Sequence, residues 1–329
     1  MEPSISFGFN LSAELALIIF KYVAQPHFAQ YAPYTKDPYS SALSLCQVSK
    51  IVRCTVLPEL LHTVLLPEAH HLIAFVRALR MQKTYLDQQH GLAFDYASCV
   101  HKMSIGEFWS PVQHSAYTFL PPSMAELDRE VDISLLAPVI LGASSLVAIA
   151  FESLDLLLRS LKKTCHSDVG HRNYPLPWST KSLTLSSYLS DSWWMFVVSV
   201  HGRAFLASIQ HFTLCLSASF EKCLPFQCNC ISEIEYQYYK PFYMLPVCIA
   251  RAPFKGLQTF SLAILHIKLP VTHRTPEAQE IWVKLITFPA SMLLDPCTPE
   301  EMESFIVTAA GYAPYFPLPV FLSYKLTEL

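Results

Sequence analysis

From residue 11 onward the apolar positions recur every three or four residues, at Leu11, Leu15, Ile18, Ile19 and Tyr22. That spacing gathers them into one stripe along a helix. Ser12 stands where an N-cap is wanted, Glu14 suits the positive end of the helix dipole, and Pro26 stops the run. A spacer from Gln25 to Ser40 follows, rich in Pro, Tyr and Gln. A second helical segment is predicted from near Ser41, where Leu45, Val48, Val52 and Val56 fall at i, i+3, i+7 and i+11. Pro58 marks a break, or opens the first turn of a short helix carrying Leu60 and Leu61.

Beyond this hairpin, short β-rich pieces alternate with helical ones. The β pieces share a loose form, apolar, two residues, apolar, one residue, apolar. It occurs at residues 61–66, 100–105, 146–151, 209–214 and 257–262, and Leu183-Thr-Leu185 keeps its second half. The middle apolar positions are Val64, Met103, Ile149, Leu183, Phe212 and Phe260. Spacings of roughly 30 to 50 residues are those of stacked strand-and-helix units. Helical candidates lie between and after them, at Leu154, Leu157, Leu158 and Leu161 and at Met302, Phe305, Ile306 and Ala309. A strand followed by a helix, repeated, favours parallel strands with helices packed on a face, because no single unit can bury its own apolar side. The pattern predicts a curved, leucine-rich-repeat-like array. Leu185 is followed by Ser186 and Ser187, where such repeats usually carry Asn or Cys, so the units are irregular. An ordinary α/β domain is the alternative.

Composition narrows the function classes. A chain of 329 residues with 52% hydrophobic content can bury a large core. A net charge of −3 leaves no basic surface to neutralise a phosphate backbone, which argues against nucleic acid as the main partner. The start, Met1-Glu2-Pro3-Ser4, has no basic n-region or apolar h-region, so a cytoplasmic or nuclear location is expected. There the ten cysteines are expected as free thiols. Residues 133–151 contain no charged residue, but Pro138, Gly142, Ser144 and Ser145 interrupt them. They read as a buried helix, a turn and a buried strand, and no membrane span is expected. With only eight glycines, no Gly-rich phosphate loop is present.

Chemical motifs are weak. Cys215, Cys223, Cys228 and Cys230, with His211 nearby, are spaced Cys-x7-Cys-x4-Cys-x-Cys, unlike the paired knuckles that hold zinc, and they read as thiols of a core or loop. Ser160-Leu-Lys-Lys163 fits the Ser-x-x-Lys pattern without its companion motifs and reads as a helix edge. His70 and His71 are adjacent and do not share a helix face. Trp178, Trp193, Trp194 and Trp282 read mainly as core, and the stretch Tyr236–Tyr243 as the most exposed aromatic segment. No catalytic residue, metal ligand or cofactor site is assigned.

The N-terminal hairpin resembles an F-box, the short helical module that docks a protein onto the Skp adaptor of cullin-RING ubiquitin ligases. The resemblance runs through residues 11–23, through Ala42-Leu-Ser-Leu-Cys-Gln-Val-Ser-Lys50 with Arg53, and through Leu57-Pro58 with Leu60, about a fifth of the chain. The whole chain is similar to F-box-like proteins with leucine-rich-repeat-like C-terminal halves, abundant in mushroom-forming fungi. The resemblance implies an α/β protein with a helical F-box-like module at residues 7–60 and an irregular repeat-like array of parallel strands and helices at 61–329. It implies a substrate receptor that performs no chemistry itself, with a Skp-type adaptor on one side and a target protein on the other. Leu11, Leu15, Ile18, Leu45, Val48 and Leu60 would contribute to the adaptor contact, the last three shared between core and interface. Two other readings stay open. The hairpin could be only a cap that shields the first strand of a binding scaffold, or the chain could be an enzyme without a recognisable motif.

Overall fold

The computed structural model describes residues 12–26, 39–67, 69–106, 131–148, 151–165, 177–186, 191–216, 253–268, 280–290 and 315–317. Within them the chain is mixed α/β. It opens with three helices, α1 (Ala13–Val23), α2 (Ser40–Cys46) and α3 (Lys50–His62). Strand β1 (Thr63–Leu66) follows α3 directly. Then come α4 (Ala69–Asp87), α5 (Tyr96–Cys99), β2 (Lys102–Ile105), α6 (Ile133–Gly142), β3 (Ser145–Ala148), α7 (Phe151–Cys165), β4 (Ser182–Ser186), α8 (Asp191–Val198), α9 (Val200–Leu206) and β5 (His211–Leu216). Three strands complete the described sheet: β6 (Thr259–Lys268), β7 (Glu280–Pro289) and β8 (Tyr315–Pro317).

The eight strands lie in chain order, β1 to β8. The first six are parallel, and β7 and β8 add antiparallel pairs at the far edge. A strictly sequential parallel order has a simple consequence. Crossovers of one hand that always step in one direction put every connecting helix on the same face. Accordingly Leu72 and Val76 of α4, Leu136 and Ile140 of α6, Leu157 and Leu161 of α7, Phe196 of α8 and Phe205 of α9 join a single core with the strands. That core contains an in-register row across the sheet: Val64, Met103, Leu146, Leu183, Phe212, Phe260 and Phe288. Phe212, Phe260 and Phe288 stack along it at centroid separations of 5.9 and 6.1 Å. Trp193 of α8 stacks on Phe212 at 5.9 Å.

Five of the six expected middle positions fall on this row. The sixth does not. Residues 146–151 satisfy the β pattern, yet β3 is Ser145–Ala148, Leu146 takes the row position, and Phe151 already begins α7. An apolar run that passes from buried strand to buried helix carries no internal mark of where the period changes. Residues 133–148 otherwise hold the expected helix, turn and strand.

The opening helices are also more continuous than the prolines imply. Pro58 lies inside α3, and Pro138 lies inside α6. A proline within a helix removes a hydrogen bond and costs about 3 kcal/mol. In α3 the burial of Val52, Val56, Leu57 and Leu61 outweighs that cost. The break falls earlier, at residues 47–49, where Ser49 caps α3 by accepting the amide of Val52 at 3.2 Å. The helix expected around Met302 to Ala309 lies outside the described residues.

Candidate docking surface

Ser12 accepts the amide of Leu15 at 3.2 Å and so starts α1, as the sequence predicts. The helix then lies on α3 through a face that the first stripe does not contain. Leu17, Phe20 and Ala24 pack with Ala42, Leu45, Val52 and Val56 in a small core of their own. Lys21 and Glu59 add an ion pair at 3.1 Å between α1 and α3. The original stripe is left outside. Leu15, Ile18, Ile19, Tyr22 and Val23 are all exposed, Ile18 by 63% and Tyr22 by 70%, and α1 contains no buried residue. Leu43 of α2, Val48 in the turn and Ile51 of α3 are likewise exposed on the same three-helix unit. Exposed single apolar residues are ordinary, but eight on one small unit form a surface that water does not favour.

The six residues expected at the adaptor contact divide accordingly. Leu15, Ile18 and Val48 point outward. Leu45 and Leu60 are half-buried, and Leu60 touches both the small core and the main one. Leu11 lies outside the described residues. Ile51, Leu43 and Val23 were not among the expected residues. Their signal was present: a helix with apolar residues on two faces has one face more than its own core needs.

The same unit closes the sheet. The Tyr39 hydroxyl donates to the carbonyl of Thr63 at 3.0 Å and accepts the amide of Leu65 at 2.8 Å, while Leu61 of α3 enters the main core. At this junction the rings of His62 and His101 stack at 4.9 Å, 12° from parallel. Burial, then the neighbouring His101 and Lys102, push the His62 imidazole below its usual range, with Glu59 opposing. Lys102, on the face of the sheet opposite the helices, has its ammonium lowered by burial. Thr63, Ser104, Ser145, Ser182, Thr184, Thr213 and Ser261 share that face and are buried too.

The remaining chemical candidates are in structural roles or beyond description. Ser160 is fully buried and donates to the carbonyl of Leu156 at 2.8 Å within α7. Cys215 is buried on β5, and His211 on the same strand lies 2.9 Å from the Thr259 hydroxyl. Cys223, Cys228, Cys230 and Tyr236–Tyr243 lie outside the described residues. Among the described residues no group of three or more His, Cys, Asp or Glu is placed to hold a metal, and no helix is long and apolar enough to cross a membrane. Burial raises the Cys46 thiol, which disfavours the nucleophilic thiolate there. His70 and His71 do meet, with ring centroids 3.9 Å apart. Trp178 and Trp193 are core residues, Trp178 donating to the Ser208 hydroxyl at 2.8 Å. Comparison with protein-family models, curated proteins and solved structures returns no match to this chain.

Proposed function

We propose that the chain is a non-enzymatic substrate receptor of a cullin-RING ubiquitin ligase, in which the F-box-like unit α1 to α3 docks a Skp-type adaptor and the leucine-rich-repeat-like part binds a target protein. The observation that carries this reading is the outward apolar stripe of α1. An 11-residue helix with Leu15, Ile18, Ile19 and Tyr22 exposed and no residue buried is poorly accounted for by the fold alone. A partner helix laid on that stripe would remove its apolar surface from water at about 25 cal/mol per Å². Lys21 is already paired with Glu59, so the surface asks for an apolar partner more than a charged one.

Two features support a receptor over an enzyme. Ligand crevices of open α/β sheets form where the strand order reverses, and the parallel strands here run in unbroken sequence from β1 to β6. Among the described residues the titratable groups with displaced pKa values lie as Cys46 of α2 with Tyr96 of α5, His62 with Lys102 at the β1–β2 junction, Asp132 at the start of α6 and Cys165 at the end of α7, and do not all converge on one cleft. The sequential order also favours the repeat-like reading of the second part.

The test is co-expression with the adaptor. Wild-type chain should co-purify with it, and Leu15→Asp and Ile18→Asp should lose the complex while keeping the wild-type melting temperature, since both side chains are exposed. No complex with wild type, or equal binding by folded variants, would end the docking idea. The cap-only reading has its own support in Tyr39 and Leu61, which tie α2 and α3 to the sheet. It assigns the outward stripe of α1 no task, however, and it expects both variants to behave like wild type in every binding assay.

A further inference from the structure

Among the described residues β1 is the terminal strand of the sheet, and one side chain, Tyr39, hydrogen-bonds to its outer edge. Its carbonyls at His62 and Leu66 accept the amides of His101 and Gly106 at 3.1 and 2.9 Å, so the even-numbered residues face β2. Thr63 and Leu65 therefore present their backbone groups outward. In a parallel ladder one residue of a neighbouring strand donates to the carbonyl before the opposed residue and accepts from the amide after it. The Tyr39 hydroxyl does both, donating to Thr63 at 3.0 Å and accepting from Leu65 at 2.8 Å. It thus reproduces the hydrogen bonds of one residue of an additional parallel strand. Apart from its shortness, four residues, the strand carries no blunting device of its own: Thr63-Val-Leu-Leu66 contains no charge and no proline.

We propose that Tyr39 is an edge guard whose hydroxyl keeps β1 closed to strand addition by a second copy of this chain. The second copy is the natural occupant, because its own β1 is uncharged, has the same length, and can pair antiparallel across a twofold axis in a self-complementary contact. Guarding lies with the phenol oxygen. The ring alone leaves the Thr63 carbonyl and the Leu65 amide without these partners.

The experiment follows backbone amide exchange in the full chain, together with its mass in solution over a concentration series. In wild type the Leu65 amide should be protected and the chain monomeric. Tyr39→Phe, which keeps the ring, should lower Leu65 protection by about tenfold in dilute solution, the worth of one typical hydrogen bond, and should dimerise or associate further as concentration rises. Adding Leu65→Lys, a charge on the edge, should return Tyr39→Phe to a monomer. A folded Tyr39→Phe protein that stays monomeric throughout the series overturns the proposal, as does association that Leu65→Lys leaves untouched. If Tyr39→Phe does not fold, the wild-type amide decides: protection of Leu65 supports the guard, and exchange at the rate of an open chain overturns it.

Discussion

His62 carries the clearest pH dependence at the scale of single residues. Its imidazole is held below the usual range, first by burial and then by His101 and Lys102. The unfolded chain therefore takes up the proton before the folded one does, and stability rises with pH across that interval. The contribution is intact above the ordinary histidine pKa of about 6.5 and is lost as pH falls through it toward the lower folded value. Urea midpoints should drop between about pH 7.5 and about pH 5.5, and His62→Gln should show a smaller drop, because it removes the group that titrates. An equal drop in both proteins would place the effect elsewhere. The pair was not visible as a pair in the sequence. His62 and His101 are 39 positions apart, and only the in-register pairing of Thr63 with Lys102 brings their rings together. Tyr39 is a similar case, lying in a spacer whose composition reads as a loop.

At the scale of elements, the two periodicities were legible and their interruptions were not. Strand positions Val64, Met103, Leu183, Phe212 and Phe260 could be read from a repeated apolar form because each must enter the same core. The end of β3 was not legible, because the run is apolar from the strand through to Phe151 at the start of α7. Pro58 and Pro138 were read as interruptions, whereas burial on both sides of each carries the helix through. In α1 the exposed stripe was the obvious one, and the stripe that packs, Leu17, Phe20 and Ala24, was hidden by its mixture of sizes. These assignments separate core from surface in a measurable way. Phe212, 1% exposed and in contact with the rings of Trp193, Phe254 and Phe260, should cost about 3–5 kcal/mol on change to alanine. Ile18→Ala, on the outward stripe, should stay within about 0.5 kcal/mol. Denaturant unfolding of the two variants beside wild type checks both, and a large loss at Ile18 would mean that its side chain is covered in the folded chain.

For the molecule as a whole, the sequence carried the class of fold, mixed α/β with a mostly parallel sheet, and missed the way the sheet ends. β7 and β8 reverse direction, and β7 pairs with β6 over ten residues, from Thr259–Pro289 to Lys268–Glu280. Strand direction is set by the connection between elements, and local alternation of apolar and polar residues says nothing of it. The other end is closed by the helical unit, and truncation separates its two tasks. Removing residues 1–24 takes away α1 and uncovers Val52 and Val56, so the melting temperature should fall while the sheet persists. Removing residues 1–62 also deletes Tyr39 and Leu61 and should give insoluble protein. Soluble yield and far-ultraviolet circular dichroism of the two truncations test this, and a folded, soluble 63–329 fragment would show that the sheet needs no closure at β1.

One junction has a mechanical consequence. His62 ends α3 and Thr63 begins β1, with no residue between them. A linker of even a few glycines would let the helical unit swivel. Here the backbone passes from helix into hydrogen-bonded strand within a single peptide, and Leu61 and Leu60 anchor the last helical turn in the core. A partner docked on α1 would therefore be held at a fixed bearing to the sheet, as by a bracket rather than a tether, and a load applied at one end would reach the other without slack.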